Sequence, residues 1–478
     1  MVDRSRMPAL GPDPSVHLPS VQRHRFDSGL RLWTVEHREL PVVSFVMLFP
    51  IGVADDPFDR PGLAAFTADM LDEGTRAADA FTIHERLARI GGVLDTEVGS
   101  DGTMVSLVTL ARFVRPASAL LAEMMTSPRL DPDDVRRVRA LRLSRLMQLR
   151  DVPAAVAERV FTARLYGDFH PYGHTAMGTE ASLTTMSVDE MRWFHEERYR
   201  TCSPVLVVAG DASHDELIDI VGETWGPAGK WGGAESGGYT TNGGSHAPGQ
   251  VHAKDWPPIP DTTTRIALVD RPGAAQSELR IGRVAAARLT PDYHTLGVLN
   301  TALGGAFVSR INLNLREERG VTYGARSSFD FRRKPGPFVV QASVQTDATA
   351  VSVSEVLREI EEMREHRPIA ADELTRAQAA LVRGFPRAFE TAEQIARAIA
   401  QLALYELPDD YFERFVPRVK AVTAEAVTDA ARRYLPNHDM HVVVVGDRQR
   451  IGESLATLGL GQPAEVSASQ DVVLAPTS

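Results

Sequence analysis

Two stretches decide the fold: Val205-Leu-Val-Val-Ala-Gly-Asp211 and Val442-Val-Val-Val-Gly-Asp447. Each is an apolar run that stops at Gly-Asp, as a buried strand ending in a turn would. Their aspartates lie 236 positions apart. A capped amphipathic helix precedes each: Ser187 opens one that runs to Tyr199, and Thr423 opens one that runs to Tyr434, with Glu190 and Glu425 in the first turns. The caps are also 236 apart. Further upstream, Asp134-Val matches Glu373-Leu, and Leu165-Tyr166 matches Leu404-Tyr405, both at an offset of 239. Repetition at nearly half the chain length predicts a duplicated fold.

Working outward, the seam falls in Gly226–Asp261, where Gly and Pro are dense and apolar periodicity is absent. The reading is a flexible tail at 1–20, an N-terminal domain at 21–225, a Gly/Pro-rich linker at 226–264, a C-terminal domain at 265–460 and a second flexible tail at 461–478. Val42–Phe49, Val105–Leu110, Leu279–Val284 and Phe338–Val344 read as strands. Asp134–Arg150 and Ala371–Tyr405 read as helices, the second broken near Gly384 and Pro386. The expected class is α+β: two similar domains, each with helices on one face of a mainly antiparallel sheet.

Composition narrows the function. The chain has 478 residues, 52 basic and 63 acidic, for a formal charge of −11. That argues against a general nucleic-acid binder, which needs a basic face. No apolar run approaches the ~20 residues that span a bilayer. The single Cys202 excludes an intrachain disulfide and a multi-cysteine zinc site. The N-terminus has no apolar core of a secretory signal; the expected compartment is the cytoplasm, or the periplasm if a signal was removed. There is no P-loop, no G-x-G-x-x-G and no G-x-S-x-G. His84-Glu85 and His195-Glu196 have Ala88 and Tyr199 where a zincin helix needs its second histidine. His170-Pro-Tyr-Gly-His174 has metal-like spacing, but Pro171 and Gly173 make it a turn, and it reads as a structural loop.

The helix Gly62-Leu-Ala-Ala-Phe-Thr-Ala-Asp-Met-Leu-Asp-Glu-Gly-Thr75 resembles the pitrilysin/insulinase zinc peptidases, or inverted zincins, whose helix carries H-x-x-E-H. The flanks Gly62, Leu63, Ala64, Phe66, Met70, Leu71, Gly74 and Thr75 match, and the resemblance runs from about Val21 to Asp447. The zinc chemistry within it is missing. Ala65, Ala68 and Asp69 stand where the family has His, Glu and His, and Arg145 stands at the third ligand's place. Zinc needs three protein ligands and an open position, so no zinc and no hydrolysis by this chain alone are expected. The second half keeps its signature, Leu299 to Ala325, with Arg316 and, seven residues on, Tyr323. In the family this pair reaches across a closed chamber to the zinc of the other half, binds substrate backbone and steadies the oxyanion.

The resemblance therefore implies a non-catalytic subunit forming half of a clam-shell. It binds no cofactor itself and supplies Arg316 and Tyr323 in trans to a homologous partner that carries zinc. Unfolded peptides would be the substrates. Two alternatives remain: a scaffold without peptidase activity, like the core proteins of cytochrome bc complexes, and a homodimer that captures extended peptides at a sheet edge.

Overall fold

The structure is a computed structural model and describes residues 20–226, 231, 256–260 and 265–467. Two six-stranded sheets are present. The first contains β1 (Gln22–Arg25), β2 (Arg31–Glu36), β3 (Val42–Phe49), β4 (Val93–Val98), β5 (Thr103–Leu110) and β6 (Val205–Gly210), in the order β1-β2-β6-β3-β5-β4. The second contains β7 (Ile266–Asp270), β8 (Gln276–Ala286), β9 (Ala325–Phe329), β10 (Gly336–Gln345), β11 (His441–Gly446) and β12 (Ala464–Glu465), in the order β12-β7-β11-β8-β10-β9. Five positions correspond strand for strand; the outer strand beside β2 is β1, the first of the chain, whereas the one beside β7 is β12, the last. In each, a parallel pair (β2–β6, β7–β11) sits beside an antiparallel run, while the outer strand pairs antiparallel in the first sheet and parallel in the second. The chain is α+β, with two similar halves.

The repeated strands β6 and β11 explain their own sequences. On β11, Val442 and Val444 enter the core beneath the second half's own helices, while Val443 and Val445 face the opposite side. On β6, Leu206 and Val208 face one core and Val205, Val207 and Ala209 the other. A strand covered on both faces is apolar throughout, not alternately. The glycine ending β6 is required by space: Gly210 has φ +138°, and a Cβ there would stand 2.2 Å from the Val42 carbonyl oxygen. Asp447, which ends the second repeat, accepts from the Gln449 N–H at 3.1 Å and caps the helix Arg448–Ala456.

Helices were expected on one face of each sheet; the second face is covered too, and by the other half. The helix Pro153–Tyr166 of the first half lays Val156, Val160, Phe161 and Leu165 on Val269, Val339, Val443 and Val445 of the second sheet. The helix Ala392–Leu404 of the second half lays Ile395, Ile399 and Leu402 on Val46, Leu48, Val205 and Val207 of the first. These two helices occupy equivalent places in the repeat, so the halves exchange the same element. Polar contacts fix both crossings. Arg280 of β8 donates to Glu158 at 3.1 Å and to the Ala154 carbonyl at 3.1 Å. Arg397 donates to Asp95 at 2.7 Å and Glu97 at 3.1 Å on β4.

Other boundaries also move. The helix read from Gly62 to Thr75 ends at Asp69. The 371–405 segment breaks where Gly384 and Pro386 placed the break, into Ala371–Gly384 and Ala392–Leu404. Residues 461–467, read as the start of a flexible tail, include β12, which extends the second sheet beside β7. Within the 226–264 segment, read as a flexible linker, Trp231 is buried against Phe49 and Trp225, and Trp256 packs edge-on against His170 and Tyr172. Aromatic burial anchors these points against the local Gly/Pro composition. Residues 1–19, 227–230, 232–255, 261–264 and 468–478 lie outside the described residues. Among the described residues, no helix is long and apolar enough to cross a membrane.

Candidate functional site

The first-half helix that aligns with a zinc site is built with care at its start. Gly62 has φ +91°, and a Cβ on it would meet Gly178 Cα at 2.8 Å. The carboxylate of Asp56 accepts from the Gly62 N–H at 2.7 Å and the Ala64 N–H at 2.6 Å, capping Leu63–Asp69 from outside the helix. His174 Nε2 lies 3.1 Å from Asp56 Oδ2 and holds that carboxylate in place. The His170–His174 loop is thus structural: His170 Nδ1 accepts from the Tyr172 N–H at 3.0 Å, and burial pulls His170 down to about 4.

Ala65, Ala68 and Asp69 share one face of that helix, by the i, i+3, i+4 rule. Ala65 and Ala68 are buried methyl groups. Asp69, half-buried, forms an ion pair with Arg142. Burial pushes the Asp69 carboxyl up, and the Arg142 guanidinium opposes the shift. Arg142 is only 8% exposed; it also donates to the Ala176 carbonyl at 2.7 Å, and its guanidinium lies 5.5 Å from the Phe66 ring centre. Arg145, at the place of the third ligand, is exposed. The cation facing Asp69 is therefore Arg142, one turn earlier on the same helix, Pro132–Arg150. These residues do not fit zinc. One carboxylate is already neutralised by a fixed guanidinium, and two methyl groups fill the other positions. Among the described residues no cluster of three or more His, Cys, Asp or Glu could hold a metal ion.

The second-half site has the opposite character. Arg316 sits in the π-helical turn Leu313–Glu318, which widens the backbone after Arg310–Asn312. Its guanidinium stacks on Phe307, 3.3 Å from the ring centre, and Nε donates to Glu317 at 2.9 Å. Tyr323 is 93% exposed. Both line one open concavity of about 450 Å³, with Gly304, Gly305, Asn312, Arg326, Gln341 and Ser343 among its walls. Asn312 closes part of the wall. Its side-chain amide donates to the Ala325 carbonyl at 2.6 Å and accepts from the Ala325 N–H at 2.8 Å, as a neighbouring strand would. Two hydrogen-bond donors, a fixed guanidinium and a free phenol, thus face one open space.

Sequence reasoning named Arg316 and Tyr323 but missed Phe307, Asn312, Arg326 and Arg142. Phe307 lies nine residues before Arg316, a spacing that no helical or strand period connects. Asn312 carries no distinguishing signal, since Arg310 and Asn314 beside it are polar too.

A family model described as "Insulinase (Peptidase family M16)" matches residues 33–179, and one described as "Peptidase M16 inactive domain" matches residues 185–381. An uncharacterized zinc protease of Mycobacterium tuberculosis (strain ATCC 25618 / H37Rv) is 26% identical over 435 residues, 90% of this chain and 94% of that protein. An uncharacterized zinc protease of Streptomyces coelicolor is 23% identical over 425 residues, 87% of each. The fold is similar to a peptidase M16 inactive domain from Pseudomonas fluorescens (TM-score 0.76, 24% identity, 89% of this chain and 98% of that one). It is also similar to a protease from Helicobacter pylori (TM-score 0.79, 17% identity, 90% and 100%). With the two family models together spanning most of its length, the chain belongs to the insulinase-like M16 peptidase family.

Proposed function

We propose that this chain is a non-catalytic subunit of a heteromeric zinc peptidase. It pairs with a homologous chain carrying H-x-x-E-H, and the two enclose unfolded peptides, each chain forming half of a clam-shell. Zinc is held by the partner, whose metal supplies the activated water. Arg316 and Tyr323 act in trans: the guanidinium and the phenol O–H donate to the peptide backbone and to the oxygen that gains charge as the bond is attacked.

One observation carries this reading. The chain's own zinc position is rewired into an Asp69–Arg142 ion pair, whereas Arg316 and Tyr323 stay together in an open concavity. Removing one donor of this kind typically costs about 2.7–4 kcal/mol of barrier, roughly 10²–10³ in rate. The test is to mix the purified chain with its H-x-x-E-H homologue from the same genome and follow cleavage of a quenched, unstructured peptide. The mixture should exceed the partner alone, and Arg316→Ala should remove the gain. A mixture that forms no complex and shows no gain sinks the reading, and stable self-association with metal-free peptide binding would put the homodimer in its place.

A further inference from the structure

The concavity holds a second guanidinium that neither the sequence reading nor the family match assigns. Arg326 is the second residue of β9 and stands opposite Gln341 of β10, and both line the space beside Arg316 and Tyr323. Its side chain is exposed, and no hydrogen bond or ion pair joins it to another described residue. The remaining charges on the wall are answered. Glu278 accepts from Arg280 at 2.6 Å and from the Ser343 hydroxyl. Arg280 is itself buried and also bound to Glu158. Arg316 is paired with Glu317, which is not part of the lining. The uncompensated charge facing the space is the positive charge of Arg326.

Backbone pairing is closed at one point of the β9 edge. Asn312 already occupies both the N–H and the C=O of Ala325, so an extended peptide cannot add to β9 at that residue. Side chains facing the space can therefore sort what binds beside it. The unpaired guanidinium of Arg326 matches a carboxylate in charge, and the guanidinium N–H groups of Arg316 and the phenol O–H of Tyr323 add donors of the right type.

We infer that Arg326, acting with Arg316, makes this concavity select peptides that present a carboxylate, an acidic side chain or a free C-terminus. This rests on the peptide-handling role proposed above. Because Arg326 is solvent-exposed, the preference is modest, about threefold to fivefold in affinity, and weakens with salt.

The experiment uses the full chain and three fluorescent, unstructured peptides of equal length, followed by anisotropy. One is neutral with an amidated C-terminus, one is neutral with a free C-terminus, and one has a central Asp-Glu pair and an amidated C-terminus. At least one carboxylate-bearing peptide should bind about threefold to fivefold tighter than the neutral amidated one, and which one does so identifies the source. Arg326→Gln should abolish the difference, Arg326→Lys should keep most of it, and Arg326→Glu should invert it. Circular dichroism should be the same for all. Equal binding of the three peptides, or a preference that survives Arg326→Gln, overturns the inference while leaving peptide binding standing. If none of the peptides binds the wild-type chain, the inference and the peptide-handling role fall together.

Discussion

The two matching helical sites of one chain, one in each half, are built in opposite ways. In the first half, the face Ala65-Ala68-Asp69 is filled. Its methyl groups are buried, and its carboxylate is tied to Arg142, which also holds the Ala176 carbonyl. In the second half, Arg316 is propped on Phe307 and Tyr323 stands in solvent. A buried position that loses its metal ligands must be refilled, because an unpaired charge or an empty space inside a protein is costly. An exposed phenol has no such obligation. Its survival beside a stacked arginine is not explained by packing, and that contrast makes the second half the place to look for function.

The scaffold beneath the two sites should fail equally on both sides. Phe161 and Ile399 sit on the exchanged helices, each buried against the other half's sheet. Phe161→Ala should cost about 3–5 kcal/mol and Ile399→Ala about 2–5 kcal/mol, as core truncations do. Both should shift one cooperative urea transition. Separate transitions for the two halves would show that the exchange does not couple them. The refilled site comes next. Arg142→Met removes the partner of Asp69 and leaves the Ala176 carbonyl without its donor. Asp69 keeps partial contact with water, so the expected loss is about 2 kcal/mol. Arg145→Met, one turn further along and exposed, should stay within about 0.5 kcal/mol. A reversed order in thermal melts would mean that Arg145, not Arg142, replaces the metal.

Much of this was legible in the sequence because it is written in short periods. The β6 and β11 repeats, their Gly-Asp ends and the break at Gly384 follow from local chemistry. The exchange of helices was not legible. Val160 and Ile399 carry the periodicity of any buried helix, and nothing in a period says which sheet the helix will meet. The fully apolar Val442–Val445 was the available hint, since a sheet with one open face would alternate. Similarly, counting along the chain gave Arg145, but position in the sequence does not say which of two arginines one turn apart on a helix meets Asp69, and in the structure it is Arg142. Arg316 and Tyr323 were found through resemblance, whereas Phe307 and Arg326 come together only in three dimensions.

Acid should act on buried histidines in both halves. His294 is buried between Tyr411 and Phe415, and neither ring nitrogen finds a hydrogen bond among the described residues. Burial first, then the cations Arg418 and Arg288, pull it down to about 4. Its folded form resists a proton that the unfolded chain accepts near pH 6.5, so its contribution is complete above that value. Stability is lost as pH falls from about 6.5 toward 4. Between pH 7 and pH 5 the loss from this group should be on the order of 1–2 kcal/mol, and His294→Leu should reduce the slope of that part of the profile. His170, lowered to about 4 in the first half, keeps a hydrogen bond to the Tyr172 N–H that requires its neutral form, so acid should loosen that loop over the same range. An unchanged slope in the His294→Leu chain would locate the acid response elsewhere.

The smallest expected effect is the most informative about the contrast. Tyr323 is 93% exposed and its hydroxyl holds nothing in the chain's own core. Tyr323→Phe should therefore leave the melting temperature of the isolated chain unchanged, within the ~0.5 kcal/mol typical of surface substitutions. In the mixture with a zinc-bearing homologue the same change should slow peptide cleavage, because the lost O–H would have served a charge that develops only during the reaction. Stability loss without a rate change would make Tyr323 a packing residue, and the reason for treating the two halves differently would disappear. Rate loss without stability loss would mean that the hydroxyl is kept for another molecule, since no described residue of this one hydrogen-bonds to it.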